Sequence, residues 1–255
     1  MRILLTNDDG IHARGLSILE RLARTLSDDV TVVAPAEEQS GKGRSLTITE
    51  PVRLRSLGEK RWAVTGTPTD AVMMALGEIM KDARPDLILS GINRGANLGE
   101  DVSYSGTVSA AMEGALAGIP SIALSQRYAT PAPGERVSFD AAEAWFDSAV
   151  RPLIEMDWAP RTLVNINFPP VAADAVAGIK TVSQGLRDYG RLKIDRRSDP
   201  RGLPYYWFGL GSVPFSPVID TDLEAIEAGY VTVTPLHLDM THRDSLARVA
   251  AVYGD

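Results

Sequence analysis

The residues best suited to chemistry follow the first apolar run of the chain. Residues 3–5 lack polar alternation, which predicts a strand buried on both faces. The run stops at Asn7-Asp8-Asp9-Gly10, so the two acids are expected at the carboxyl end of a strand, where open α/β sheets bind ligands. Adjacent carboxylates repel each other unless a cation, a basic side chain or a proton intervenes. A hard divalent metal is the natural partner, and a solvated Asp-Gly turn is the alternative.

Two further segments are expected beside this pair of acids. The apolar run that begins at Asp86 breaks at Gly91 and delivers Asn93 to the same edge, where its side chain offers an oxygen to a metal or an amide donor to a phosphate. The polar, glycine-bearing residues 36–44 predict a loop that places the Ser40 hydroxyl near the first strand's end. An ordinary surface loop is the alternative for this segment.

The sequence Ser105-Gly106-Thr107 joins a glycine-rich loop to a small-residue helix over residues 110–117. Free backbone N–H groups and the helix dipole at such a junction favour an anion, and the two hydroxyls would add donors. A simple helix cap is the alternative, because a lone Ser-Gly-Thr is weak evidence for an anion site.

The three histidines are less informative. His237 follows the last predicted strand; if that strand returns to the main sheet, His237 emerges near the carboxyl edge and could act as an acid or base. A lone histidine is more often structural. His12 is either a donor close to the acids or an early-helix residue, and His242 lies in a polar C-terminal segment.

The elements that position these residues alternate between strand and helix. Apolar spacing predicts a helix over residues 13–26, followed by a buried strand over 30–35. This β-α-β opening indicates a parallel sheet with right-handed crossovers. Thr67 is the expected N-cap of the next helix, with Pro68 at its first position. The other predicted elements are strands over residues 46–57, 61–64, 119–125 and 163–168 and a helix over 139–154, whose aromatics Trp145 and Phe146 are expected in the core.

The pattern becomes strand-rich after Pro169 and Pro170. Strands are expected over residues 179–182, 190–196 and 204–208, before a helix over 222–228 and a strand over 230–234. We therefore predict an α/β fold: a Rossmann-like three-layer α/β/α catalytic domain with a mostly parallel sheet over residues 1–170, and a strand-rich C-terminal extension over residues 171–255. The helix and strand of the extension are expected to return to the main sheet.

Composition limits the classes of partner. The chain has 255 residues, 44% of them hydrophobic, enough to bury a full core. Its formal net charge of −7 provides no bulk positive field for polymeric nucleic acid or anionic membranes. The absence of cysteine excludes disulfides and thiolate chemistry. With no leader pattern and no apolar run near the roughly 18 residues of a membrane span, we expect a cytoplasmic protein.

The segment over residues 185–208 is expected to be an oligomerisation arm. Leu192 and Ile194 alternate with charged residues as in a strand, and residues 205–208 form the aromatic run Tyr-Tyr-Trp-Phe. A two-stranded projection is only marginally stable alone, so we expect a neighbouring subunit to cover its apolar residues. The alternative is that these aromatics pack back onto their own domain.

Six motifs of the chain together resemble those of the SurE survival protein family of stationary-phase 5′-nucleotidases. They are Asn7-Asp8-Asp9-Gly10, Ser40-Gly41, Gly66-Thr67-Pro68, Ser90-Gly91-Ile92-Asn93, Tyr104-Ser105-Gly106-Thr107 and Thr234-Pro235-Leu236-His237. The motifs occur in the family's order and spacing, from residue 1 to about 240. The resemblance implies one divalent cation per subunit, Mg²⁺ or Mn²⁺, held by Asp8, Asp9, Ser40 and Asn93, and hydrolysis of nucleoside 5′-monophosphates. It also implies dimers or tetramers built through the C-terminal extension. Activity on 3′-nucleotides and short polyphosphate varies within the family and is not assigned.

The mechanism expected from these residues is metal-assisted hydrolysis of a phosphate monoester. Asn93 and the amides around residues 105–107 would clamp the non-bridging oxygens, with Asp8 as the base and His237 as a proton donor to the leaving oxygen. Two rivals are a haloacid-dehalogenase-like phosphatase and a non-enzymatic receiver module. The first needs a second acid two positions after Asp8, where this chain has Gly10; the second needs an Asp where this chain has Asn93.

Overall fold

The computed structural model describes residues 1–128, 137–187, 192–210 and 221–254. No helix within these ranges is both long and apolar enough to span a membrane. The α-helices of the described residues are α1 (Arg14–Ala23), α2 (Pro68–Met74), α3 (Gly106–Leu116), α4 (Asp140–Ile154), α5 (Asp222–Glu227) and α6 (Arg243–Tyr253). The strands are β1 (Arg2–Thr6), β2 (Asp29–Pro35), β3 (Leu54–Gly58), β4 (Arg61–Val64), β5 (Leu87–Arg94), β6 (Ser121–Gln126), β7 (Thr162–Phe168), β8 (Gly178–Thr181), β9 (Leu192–Ser198), β10 (Pro204–Leu210) and β11 (Tyr230–His237).

Nine of the described strands form one sheet in the order β3-β4-β2-β1-β5-β6-β7-β11-β8. From β4 to β7 all neighbours are parallel, whereas β3 is antiparallel to β4 at one edge. Toward the other edge β11 is antiparallel to β7, and β8 is parallel to β11. Strands β9 and β10 form a separate antiparallel hairpin.

Helices cover both faces of the sheet, so β1 is buried on both sides. Ile3 and Leu5 pack in one core with α1 and α4, and Leu4 packs in a second core with α2 and α3. The predicted α/β class with a three-layer, mostly parallel arrangement is therefore confirmed. The division into residues 1–170 and 171–255 stays a prediction, and β8 and β11 of the second segment belong to the same sheet as β1 to β7.

Local signals located the start of α2 correctly. The Thr67 hydroxyl accepts the Asp70 N–H at 3.2 Å, and the Asp70 carboxylate accepts the Thr67 N–H at 2.8 Å. The predicted N-cap Thr67 and the predicted first helical residue Pro68 are thus confirmed, and Asp70 completes a capping box with Thr67.

One local prediction was wrong. The strand expected over residues 46–57 is confined to β3, because the Thr47 N–H is taken by the Asp70 carboxylate at 3.1 Å and Pro51 has no N–H to donate. The C-terminal segment after His242, for which no element is predicted, forms α6, and none of that helix's residues is buried.

Strand β11 runs opposite to β7, so that His237 lies opposite Thr162, the first residue of β7. The direction follows from α5, which is separated from β11 by two residues and is bound to the loop after β5 at the carboxyl edge. The chain therefore leaves that edge through β11 and reaches the opposite edge at His237.

Candidate active site at the carboxyl edge of the sheet

Asp8 is the most deeply placed acid of the site. The residue is 4% exposed, and its Oδ1 accepts a 2.5 Å hydrogen bond from the Thr107 hydroxyl at the start of α3. Burial raises the pKa of Asp8 to about 6, with a further contribution from the charge of Asp9 and an opposing one from the Thr107 hydrogen bond. An ionised carboxylate this deeply buried is unfavourable unless a proton or a cation neutralises its charge.

Asp9 is tied to the end of β5. Its Oδ2 accepts the backbone N–H of Arg94 at 3.0 Å. Burial raises the pKa of Asp9; the N–H and charge of Arg94 oppose the increase and the Glu38 carboxylate adds to it. The two adjacent acids therefore both resist ionisation in the folded protein.

The loop over residues 36–44 lies beside these acids, as the sequence predicts. The Gln39 N–H donates to the Asp8 carbonyl at 2.8 Å, and the Ser40 hydroxyl donates to the Glu38 carboxylate at 2.8 Å. Gly10 has a φ of +96°, and a Cβ there would lie 3.2 Å from the backbone of residue 37. Glycine thus allows the first turn and this loop to approach each other closely.

Asn93 lies near the end of β5, next to the strand that carries the acids. Its Nδ2 donates to the Gly95 carbonyl at 2.9 Å, and within the described part of the chain its side-chain oxygen remains available as an acceptor. The pairing of β5 with β6 shifts register between Ser90 and Asn93. Such irregularities re-aim side chains at the ends of strands.

The N-terminus of α3 meets Asp8 directly. A Cβ on Gly106 would lie 2.7 Å from the Asp8 Cβ, so glycine is required for this contact. Ser105 is the N-cap and accepts the Val108 N–H at 3.1 Å. The Thr107 hydroxyl donates its single proton to Asp8 in this structure, and its role as a donor to an anion stays a prediction. The helix N-terminus itself keeps its favourable dipole for an anion.

The histidines do not join this cluster. The placement of His237 near the carboxyl edge was wrong, because β11 carries it to the opposite edge, where it is exposed and its Nδ1 accepts the Asp239 N–H at 3.0 Å. His12 is exposed after the first turn, and His242 contacts Ser245 at 2.7 Å. The structure therefore supports no role for His237 as a proton donor in this site.

Sequence reasoning missed the residue that anchors the loop between β5 and α3. Asn97 is buried and donates through its backbone to Asn167 at 2.8 Å and through its side chain to Ser125 at 2.8 Å. Its carbonyl accepts from Asn165 at 2.8 Å and from Asn167 at 3.1 Å. The polar residues at alternate positions 165 and 167 of a buried strand were the available signal.

The donor set fits a hard divalent cation. Asp8, Asp9, Ser40 and Asn93 each make a hydrogen bond that orients the side chain, and each retains oxygen lone pairs. The side-chain oxygen of the buried Asn7, the residue before Asp8, has no partner among the described residues. Within those residues no group of three His, Cys, Asp or Glu side chains is placed to bind a metal, so the neutral oxygens of Ser40 and Asn93 are needed to complete a site.

A cavity of about 440 Å³ lies beside this cluster. Gln39, whose N–H donates to the Asp8 carbonyl, and Thr67, at the start of α2, both line the cavity. The residue after Thr67, Pro68, lies against Gly106 at the start of α3. The lining of the cavity is mainly polar and includes Lys42, Ser45, Thr47, Thr49, Glu50 and Thr65. The volume is sufficient for a small molecule attached to a group held at the acids.

A mostly parallel α/β sheet with oxygen ligands and a helix N-terminus at its carboxyl edge defines a Rossmann-like protein whose site suits a cation together with an anionic group. A family model described as Survival protein SurE matches residues 3–191. The chain belongs to the SurE family.

Individual relatives agree with this assignment over nearly the whole chain. A protein of Rhizorhabdus wittichii named 5′-nucleotidase SurE is 66% identical, with 99% of this chain and 100% of the relative covered. An Erythrobacter litoralis protein of the same name is 60% identical, with 97% of each covered. The crystal structure of the SurE protein from Aquifex aeolicus superposes with a TM-score of 0.85 at 38% identity, covering 99% of this chain and 100% of that one.

Proposed function

We propose that the chain is a metal-dependent phosphomonoesterase that hydrolyses nucleoside 5′-monophosphates to nucleoside and phosphate. The observation that carries the proposal is the convergence of Asp8, Asp9, Asn93 and the N-terminus of α3 at one edge of the sheet. The names of the relatives support a 5′-nucleotidase activity. The cavity lined by Gln39 and Thr67 offers space for the nucleoside.

Asp8, Asp9, Ser40 and Asn93 would hold one divalent cation, Mg²⁺ or Mn²⁺. When bound, the cation supplies electrostatic stabilisation of the phosphoryl oxygens and makes a neighbouring water more acidic. Asn93 and the N–H groups at the start of α3 would then orient the phosphate and stabilise the charge that builds on its oxygens. Asp8 is our candidate for the base, because it is the acid nearer to β1 and its carboxylate lies against the N-terminus of α3, where the phosphate would bind.

Phosphate release from a panel of nucleoside 5′- and 3′-monophosphates, across metals and with chelator, tests this function. We expect metal-dependent turnover of the 5′-monophosphates that chelator abolishes. An acid-stable phosphoenzyme would favour the haloacid-dehalogenase-like alternative, and metal binding without turnover would favour the receiver-type module. The assignment of Mg²⁺ or Mn²⁺ as the cation and a cytoplasmic location stay predictions.

Asp9→Asn is expected to lower activity at limiting metal while leaving the fold intact. The substitution removes one charge from the proposed ligand set but retains an oxygen. Excess metal should restore part of the activity, measured as phosphate release over a metal titration. Unchanged activity at limiting metal, or a collapse of thermal stability, would show that Asp9 does not bind the cation.

We propose that the β9–β10 hairpin joins subunits into a dimer or tetramer. Its aromatics are highly exposed, with Trp207 at 60% and Phe208 at 75%. The two strands pair only with each other among the described residues, and Phe208 lies opposite Ile194, which is also exposed. A second copy of the chain is the proposed cover for this apolar surface.

Replacing both Trp207 and Phe208 by Ser is therefore expected to lower the molecular mass in solution. The matched control replaces Lys193 and Arg197 by Ser, two exposed residues on the partner strand of the same hairpin. Light scattering should show a smaller species only for the aromatic variant. A folded aromatic variant with the mass of the wild type would exclude the hairpin as the subunit interface.

A further inference from the structure

Asp222, the first residue of α5, is fully buried and binds two separate backbones. Its Oδ2 accepts the N–H of Gly99 at 2.8 Å, and its Oδ1 accepts the N–H of Gly185 at 2.8 Å. Gly99 belongs to the loop between β5 and α3, whereas Gly185 follows β8. The Gln184 side chain completes the connection by donating to the Gly99 carbonyl at 2.8 Å. Charge-assisted hydrogen bonds thus tie the loop to the C-terminal extension.

Arg187 strengthens the same junction. Its guanidinium contacts the carboxylates of Glu100 at 3.2 Å and Asp101 at 3.0 Å, and the carbonyl of Leu98 at 3.3 Å. Its backbone N–H also donates to Glu100 at 3.1 Å. Because the Arg187 side chain is largely buried, these contacts are less screened by solvent than a surface ion pair.

Close packing accompanies the hydrogen bonds. Leu98 is buried in a small apolar cluster with Leu223 and Ile226 of α5. Gly99 has a φ of +55°, and a Cβ there would lie 3.0 Å from the Gly185 carbonyl oxygen. The loop and the extension therefore meet at a contact that larger side chains would separate.

The clamped loop leads directly to the proposed phosphate site. Gly99–Ser103 forms a 3₁₀ turn that is followed by Ser105, the N-cap of α3. We propose that Asp222 is a positioning residue, whose clamp on Gly99 and Gly185 holds this loop so that the N-terminus of α3 faces the phosphate group of the substrate. This inference rests on the phosphate site proposed above, and it extends the machinery of the site to a residue far away in sequence.

Asp222→Asn tests the clamp, because the amide keeps the shape but presents an NH₂ group to one of the two backbone donors. The matched control is Asp199→Asn: Asp199 Oδ1 also accepts two backbone N–H groups, from Arg201 at 2.8 Å and Leu203 at 2.9 Å, in the turn of the hairpin. The kcat and KM for a nucleoside 5′-monophosphate are measured at saturating metal, at a temperature where both variants are folded. We expect kcat to fall at least about tenfold for Asp222→Asn, with a smaller change in KM, since misplacement acts on the transition state. The control should match the wild type.

Hydrogen exchange over residues 98–107 provides a readout that does not need activity. Exchange should be faster in Asp222→Asn and unchanged in Asp199→Asn. A kcat within about twofold of wild type, or unchanged exchange in the loop, would overturn the positioning role. If Asp222→Asn does not fold, Gln184→Ala removes one bond to Gly99 and should shift both readouts in the same direction. A wild type that releases no phosphate would contradict the proposed function, while the exchange rates would still test the clamp.

Discussion

Asp8→Asn is expected to make the metal-free protein more stable at pH 8 while lowering phosphate release by about a hundredfold to ten-thousandfold. Burial raises the pKa of Asp8 from 3.8 to about 6, so the folded state holds this proton more tightly than the unfolded state does. Stability is therefore lost as the pH rises from 3.8 through about 6, and the full cost persists above that range. The difference in pKa corresponds to about 3 kcal/mol, which the neutral Asn does not incur.

Thermal unfolding in chelator at pH 8 and pH 4 measures this effect. The gain in midpoint should be roughly 6–12 °C at pH 8 and should shrink to a small fraction of that at pH 4, where the acid is largely protonated in the folded state. Asp157→Asn, which changes an exposed acid, serves as the control and should leave the midpoint unchanged at both pH values. An Asp8→Asn protein less stable than wild type at pH 8 would contradict an unfavourable buried charge at this position.

Gly106→Ala is expected to reduce turnover about a hundredfold and to destabilise the fold by about 1–3 kcal/mol. The added Cβ would lie 2.7 Å from the Asp8 Cβ and 3.0 Å from both the Asp8 Oδ2 and the Pro68 Cγ. Either the carboxylate or the N-terminus of α3 must move, and both belong to the proposed site. The greater helix propensity of alanine, worth about 1 kcal/mol, offsets only part of the cost.

Gly77→Ala provides the matched comparison for this substitution. Gly77 is also helical, in the π-helical segment Ala75–Ile79, and a Cβ there would meet no atom within 4 Å. This variant should keep normal turnover and gain up to about 1 kcal/mol in unfolding free energy. Near-normal activity of Gly106→Ala would show that activity does not depend on the close contact between Asp8 and the N-terminus of α3.

The central part of the fold could be predicted because its signals are local. Residues 3–5 are apolar without alternation, and polar residues follow at once, which places Asp8 and Asp9 at the carboxyl edge of a buried strand. The start of α2 is similarly encoded by Thr67 and Pro68 within a few residues. Such features depend on backbone geometry and burial that neighbouring residues determine.

The direction of β11 and the roles of Asp222 and Thr107 depend on long-range packing instead. Nothing near His237 encodes whether its strand runs with or against β7. In the sequence, Asp222 resembles an ordinary first-turn acid after a Thr N-cap. Its binding to the backbone of Gly99 depends on a distant loop and is visible only in the structure. The Thr107 hydroxyl has one proton, and it donates this proton to Asp8 because α3 packs against the end of β1.

The position of β11 between β7 and β8 has a consequence for biosynthesis. The parallel core is complete when Phe168 has left the ribosome, but the outer edge of β7 stays unpaired until residues 230–237 arrive. At roughly 5–20 residues per second, the nascent protein exposes this open edge for several seconds. Unpaired strand edges recruit other chains, so the interval before β11 arrives is the period in which this polypeptide is most exposed to aggregation.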